Sequence, residues 1–263
     1  MLKKIIYICI TLYVMLIIGL YFFQEKIIFR PKKLAKNFSY SFSTKFEEIH
    51  LKTNDNSTIN GLHFKVDEPK GVLLYFHGNK GNLERWGKIV APFTNYNYDV
   101  FVIDYRGYGK NSDSRTEPKM YEDAQLAYNY VKQFYKEENI SIYGRSLGST
   151  FAVKVAKDNK PKQLILEAPF YNLVHLANLK YPLIPFQWLL KFNFETNSYI
   201  NDVTCPITIF HGDKDKMVPI ESSHKLIEFK GEKDINLIVL KDGTHHNVYK
   251  YKSYNDAMSK LLN

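Results

Sequence analysis

The sequence predicts an α/β fold, with helices covering both faces of a mostly parallel central sheet, behind an N-terminal transmembrane helix. Three features predict it. Short, nearly continuous apolar runs recur at Val72 to Phe76, Val100 to Ile103, Ile140 to Tyr143, Leu164 to Leu166, Ile207 to Phe210 and Leu237 to Leu240, as strands buried on both faces do. Helical patterns separate most of these runs, which is how parallel strands are joined. Ahead of them, Ile5 to Phe23 extends for nineteen residues without a charge.

Composition agrees with a large core. Of 263 residues, 45% are hydrophobic, 15% aromatic and 24% charged, which excludes a disordered or low-complexity chain. Cys9 and Cys205 are the two cysteines, too few for a disulfide framework or a Cys-based zinc site. The net charge of +9 is uneven. Residues 1–36 carry seven Lys or Arg against Glu25 alone, and the remaining chain is only +3. That excess flanks the apolar run, where it suits lipid headgroups and argues against nucleic acid as a partner.

The chain begins with a short basic stretch, 1–4, holding Lys3 and Lys4. The apolar run, 5–23, makes a helix ~28 Å long, about one hydrocarbon thickness. Only Thr11 and Gly19 interrupt it, so it has no polar face and does not read as a core helix. It is long for a signal sequence, and Gly19-Leu20-Tyr21-Phe22-Phe23-Gln24 offers no small-x-small cleavage site. A retained single-pass anchor in the lipid bilayer is expected. Basic residues stand on both flanks, so the positive-inside rule favours neither orientation.

A basic juxtamembrane segment, 24–44, leads into one folded domain over 45–263. Phe46 to Leu51 and Ile59 to Phe64 alternate around the turn-rich Asn54-Asp55-Asn56-Ser57, predicting an antiparallel hairpin. Helices are expected at Leu83 to Phe93, Met120 to Tyr135, Leu147 to Lys157, Ile220 to Phe229 and Val248 to Leu261. The interval 171–204 breaks the alternation with Leu179-Lys180-Tyr181-Pro182-Leu183-Ile184-Pro185-Phe186-Gln187-Trp188-Leu189-Leu190. A connection this long and apolar reads as a functional excursion, a lid.

Gly144-Arg145-Ser146-Leu147-Gly148 follows an apolar strand and opens a helix. A G-x-S-x-G sequence there makes a tight turn that lifts the serine hydroxyl above the sheet edge, marking Ser146 as candidate nucleophile. Such a hydroxyl needs a base, and the base needs an orienting carboxylate. His211-Gly212-Asp213-Lys214-Asp215 follows the Ile207 strand, and Gly243-Thr244-His245-His246-Asn247 follows the Leu237 strand. Both lie at strand C-terminal ends, where open α/β sheets build their sites. Spacing decides neither Asp213 against Asp215 nor His245 against His246. An oxyanion needs two N–H donors, expected at Leu147 and, after the Val72 strand, at Asn79 of His77-Gly78-Asn79-Lys80-Gly81-Asn82. That loop lacks the Gly-Lys-Ser/Thr ending of a phosphate-binding loop, and His77 reads as a structural brace.

These residues resemble the α/β-hydrolase superfamily and, within it, a membrane-anchored serine-aminopeptidase-like branch related to depalmitoylating hydrolases. The likeness runs from Phe22-Phe23-Gln24-Glu25-Lys26-Ile27-Ile28-Phe29-Arg30-Pro31 through Phe76-His77-Gly78-Asn79 and Asp104-Tyr105-Arg106-Gly107-Tyr108-Gly109 to the elbow, His211-Gly212 with Asp215, Val218 and Pro219, and the last helix. The resemblance implies an acid four residues after His211, Asp215, and a base directly before an asparagine, His246. A second histidine at 245 departs from the family, which usually has a small residue there. Tyr105 and Arg106 correspond to scaffold. The expected activity is hydrolysis of an ester, thioester or amide through an acyl-enzyme, without metal or cofactor, on a small-molecule or acylated, lipid-like substrate. The rival readings are an aminopeptidase-type serine peptidase and a non-catalytic, membrane-tethered binding protein on the same scaffold.

Overall fold

The structure, a computed structural model, describes residues 1–231 and 235–263. Helix α1, Leu2–Ile28, outlasts the charge-free run at both ends. It is long and apolar enough to cross a membrane, and its apolar stretch is not buried against the rest of the protein. Strand β1, Arg30–Pro31, follows at once, then β2, Phe46–Lys52, and β3, Thr58–Phe64. Strand β4, Val72–Phe76, leads through β5, Lys80–Gly81, into α2, Leu83–Val90. Strand β6, Asp99–Ile103, precedes α3, Glu117–Val131. Strand β7, Ile140–Arg145, turns into α4, Leu147–Asp158, and β8 is Gln163–Glu167.

The excursion holds three short helices, α5, Leu173–Lys180, α6, Phe186–Leu189, and α7, Thr196–Ile200. Strand β9, Ile207–Gly212, helix α8, Glu221–Lys230, strand β10, Ile235–Leu240, and helix α9, Lys252–Leu261, complete the chain.

Eight strands form the main sheet in the order β10-β9-β8-β7-β4-β6-β3-β2. From β10 to β6 every pairing is parallel, and the predicted hairpin β2–β3 adds an antiparallel edge. Successive side chains of a strand face opposite ways, and β4 shows the result. Val72, Leu74 and Phe76 share one buried cluster with residues of α3, α4 and α8 such as Met120, Phe151 and Leu226. Leu73 and Tyr75 pack with Trp86 of α2 and Tyr254 and Met258 of α9 on the other face. The predicted sheet and its two covered faces are present.

Helix boundaries shift for local reasons. Helix α3 starts three residues before the expected Met120, because Thr116 Oγ1 accepts the Lys119 N–H and Pro118 fits the first turn. Helix α2 ends at Val90, and Ala91–Tyr96 tightens to a 3-10 helix with Pro92 near its start, where a missing N–H is tolerated. The last expected helix divides into a 3-10 turn, Val248–Lys250, and α9.

The basic juxtamembrane segment is bonded to the folded domain. Arg30 and Pro31 pair in parallel with Lys80 and Gly81, and Lys33 bridges to Gly109. The Lys33 and Lys36 ammoniums donate to the carbonyls of Asn111 and Lys110 at 3.0 and 2.7 Å. Phe29, 1% exposed, meets the rings of Phe192 and Phe194. Residues 29–44 thus belong to the folded body, and only α1 extends from it.

Candidate active site

The elbow is built by crowding as much as by turning. A Cβ on Gly144 would meet Ala152 and Ser149, and one on Gly148 would collide with the carbonyl of Phe76. Helix α4 can therefore approach β4 and β7 this closely only with glycine at both places. The positive φ falls on Ser146 itself, at φ 50° and ψ −115°, a conformation costing about 1–3 kcal/mol. Its neighbours hold it there. The Ser146 N–H donates to Glu167 O at 2.9 Å, and Ser146 O accepts from Ser149 N and Ser149 Oγ at 2.9 and 2.6 Å.

Asp215 is 6% exposed, whereas Asp213 is on the surface. Asp215 Oδ1 accepts the Met217 and Val218 N–H groups at 2.8 and 2.9 Å, and Oδ2 takes His245 Nδ1 at 2.6 Å. Burial raises the pKa of this carboxyl, but the His245 hydrogen bond and charge, with the two amides, more than reverse that and hold it below its usual value. It is a carboxylate with three hydrogen bonds, two on Oδ1 and one on Oδ2. His211 braces the same loop, with Nδ1 at 2.7 Å from Ser223 Oγ and Nε2 at 2.8 Å from Val218 O; burial lowers its pKa and keeps it neutral.

In the structure Asp215 thus pairs with His245 and not with His246, the residue the resemblance implies. The Asn247 side chain accepts the Thr244 N–H at 2.7 Å and closes the loop into a turn. Residue 245 faces in, 7% exposed, and residue 246 faces out. The two rings stand at 84° to each other, and the ring bonded to Asp215 is that of His245. The asparagine that marked position 246 in the sequence instead shapes the turn that presents 245.

Arg145 was not singled out as a site residue, yet it joins the elbow to the histidine loop. It is 8% exposed, with Nη2 donating to His245 O at 3.0 Å and Nε lying 3.1 Å from Glu167 Oε1. Glu167 also accepts from Tyr143 OH at 2.8 Å. The sequence does carry a signal. Arg145 and Glu167 end adjacent strands in register, so two opposite charges close two otherwise apolar runs side by side.

The candidate oxyanion loop sits against the start of α4, as the closeness of Gly148 to the Phe76 and His77 carbonyls requires. Leu147 opens α4, so its N–H has no intrahelical acceptor. Asn79 is held from several sides. Its carbonyl accepts from Arg30 N at 2.9 Å and Tyr108 OH at 2.7 Å, and its Nδ2 donates to Ile28 O at 3.0 Å. His77 lies under the loop, stacked on Trp86 and 3.3 Å from Asp104, while Tyr105 OH donates to its carbonyl. Arg106 pairs with Asp55 and Asp123, away from these loops. Among the described residues there is no His, Cys, Asp and Glu group suited to hold a metal ion.

Fold and elbow together define a class, and comparison with known proteins places the chain within it. The model of the serine aminopeptidase S33 family matches residues 67–196. An uncharacterized protein of Acanthamoeba polyphaga mimivirus is 31% identical over 89% of this chain and 88% of its own. Lysophosphatidylserine lipase ABHD12 of Danio rerio is 30% identical over 61% of this chain, which spans only 47% of that protein. Among solved structures, the Pyrococcus furiosus esterase Pf2001 superposes with a TM-score of 0.69 at 19% identity, over 89% of this chain and 98% of the esterase. The chain belongs to the α/β-hydrolase superfamily, in its serine-aminopeptidase-like family, and is a hydrolase.

Proposed function

We propose that this protein is a membrane-anchored serine hydrolase that cleaves an ester, thioester or amide through an acyl-enzyme. The observation carrying this reading is the 2.6 Å bond between buried Asp215 and His245, on a loop tied by Arg145 to the Ser146 elbow. His245 takes the Ser146 proton as the hydroxyl attacks the acyl carbon, and returns it to the leaving group. Water then repeats the exchange and frees the acid. Asp215 fixes the imidazole tautomer and stabilises the imidazolium. The Asn79 and Leu147 amides receive the oxyanion, one such donor being worth about 3 kcal/mol of barrier.

An acylated, lipid-like substrate fits the apolar excursion and the span, and a lysophosphatidylserine lipase is among the relatives. A peptidase recognising a free amine is less well served. Glu195 is the sole acid between Tyr171 and Asn201, and it is exposed at the start of α7.

One fractionation tests the whole reading. Full-length protein in membranes should react with a fluorophosphonate at Ser146, which only an activated serine does. The labelled protein should stay with the bilayer through salt and carbonate and leave in detergent. No label would remove the serine mechanism. Release by salt alone, or a mature N-terminus near residue 24, would remove the anchor.

Arg145 is a positioning residue in this scheme. Arg145→Met should lower kcat on a soluble ester about 10–100-fold by letting the histidine loop drift. It should also cost about 3 kcal/mol of stability, because Glu167 is left buried and unpaired. Arg145→Lys restores a charge beside Glu167 but not the reach of the fork, so it should recover stability more than kcat, with KM little changed in either. Equal kcat in all three proteins would remove Arg145 from the scheme.

A further inference from the structure

Four large apolar side chains of the excursion stand in the open. Leu183 is 85% exposed, Trp188 82%, Tyr181 61% and Leu179 49%. Single exposed apolar residues are ordinary, but four within ten positions make a patch that needs a partner. The rest of the excursion is firmly seated. Glu117 accepts the Asn193 and Phe194 N–H groups at 2.6 and 3.0 Å, and Phe192 and Phe194 are buried.

Where the patch sits indicates what covers it. Gln24, 3% exposed on α1, donates to Leu189 O at 3.1 Å and accepts from Lys191 N at 2.7 Å. Eleven residues earlier on the same helix, Tyr13 OH donates to Leu183 O at 2.8 Å. These bonds lay residues 183–191 alongside α1. From residue 24 back to residue 13 an α-helix advances ~16 Å, more than half the depth of a ~28 Å span. A helix cannot cross a bilayer there without carrying its neighbour in as well.

The chemistry is arranged for that depth. Hydrocarbon leaves no water for a free carbonyl, so main-chain groups must find partners inside the protein. Tyr13 supplies the donor for Leu183 O, and Gln24 serves both Leu189 O and Lys191 N. The polar boundary is marked at the level of Gln24. The Lys191 ammonium lies 4.8 Å from the Tyr21 ring, and Glu25, Lys26 and Arg30 follow directly. Lys180, the charged residue within the patch, has a four-carbon stem long enough to snorkel.

We propose that residues 179–188 insert beside the anchor to about the midplane, so that the bilayer itself covers this face. The proposal rests on the reading of α1 as a membrane span. It makes the excursion a second, re-entrant contact, and an acyl chain could pass from the leaflet to the site without crossing water.

Intrinsic fluorescence tests it in the full chain. The protein has two tryptophans, Trp188 and Trp86, the latter 3% exposed. In phosphatidylcholine vesicles with bromine on shallow or deep acyl carbons, Trp188 emission should be blue-shifted and mostly quenched. The quenched component should vanish in Trp188→Phe, leaving Trp86 as an unquenched background. Protein that resists carbonate while Trp188 stays unquenched at both depths would keep the anchor and overturn the insertion. Protein that carbonate strips from the vesicles would overturn the span, and the insertion with it.

Discussion

Ser146→Ala should abolish turnover of a p-nitrophenyl ester, by ~10⁵-fold or more, while the protein stays folded. In a triad that acts as a unit, loss of the nucleophile alone costs nearly as much as loss of all three members. Stability should move little. The bonds that hold residue 146 are main-chain bonds, to Glu167 O and from Ser149, and alanine keeps both. Its cost at φ 50° is close to that of serine, since both carry a Cβ. Melting curves and steady-state kinetics on the same preparation decide the matter. A folded Ser146→Ala protein with undiminished esterase activity would refute the mechanism.

His245→Ala should lose at least ~10⁴-fold in kcat, and His246→Ala far less, since only a true triad member removes the concerted step. Asp215→Asn should likewise fall well below Asp213→Asn. The physical basis is the Asp215–His245 bond at 2.6 Å, set against the outward-facing His246 and exposed Asp213. Asparagine at 215 keeps the volume, but its amide favours the wrong imidazole tautomer. The four variants compared on one soluble ester form the test. A larger loss at 246 than at 245 would mean that the loop turns the other way in the working enzyme.

The fold was readable because burial on both faces of a parallel sheet leaves continuous apolar runs, as at Val72, Val100, Ile140, Leu164 and Ile207, while the Leu237 run lies in the half-exposed edge strand β10. The placement of the candidate loops was readable for a related reason, since chemistry-bearing residues were sought only just after those runs. The choice between two adjacent histidines was not. Both occupy one short loop, and a single side-chain bond from Thr244 N to Asn247 decides which ring faces Asp215. Strand β1 was invisible for a different reason. Two residues, one of them Pro31, have no periodicity, and their partners Lys80 and Gly81 are met only through tertiary pairing. Gln24 gave no signal either, because its use depends on Leu189 and Lys191, more than 160 residues away.

The β1–β5 pairing sets an order of events during synthesis. Helix α1 and residues 29–36 emerge first, but Arg30 N cannot meet Asn79 O, nor Lys32 N meet Gly81 O, until about fifty more residues have left the ribosome. The candidate oxyanion loop is therefore finished around a strand already tethered to its helix. The same dependence would govern proteolytic release. A protease that cuts just ahead of Asn37 would free a body whose Asn79 has lost both Arg30 and Ile28 and keeps Tyr108. Cutting there removes two of the three bonds described on Asn79, so a released form that keeps this loop as it stands has to retain its chain from Ile28 onward.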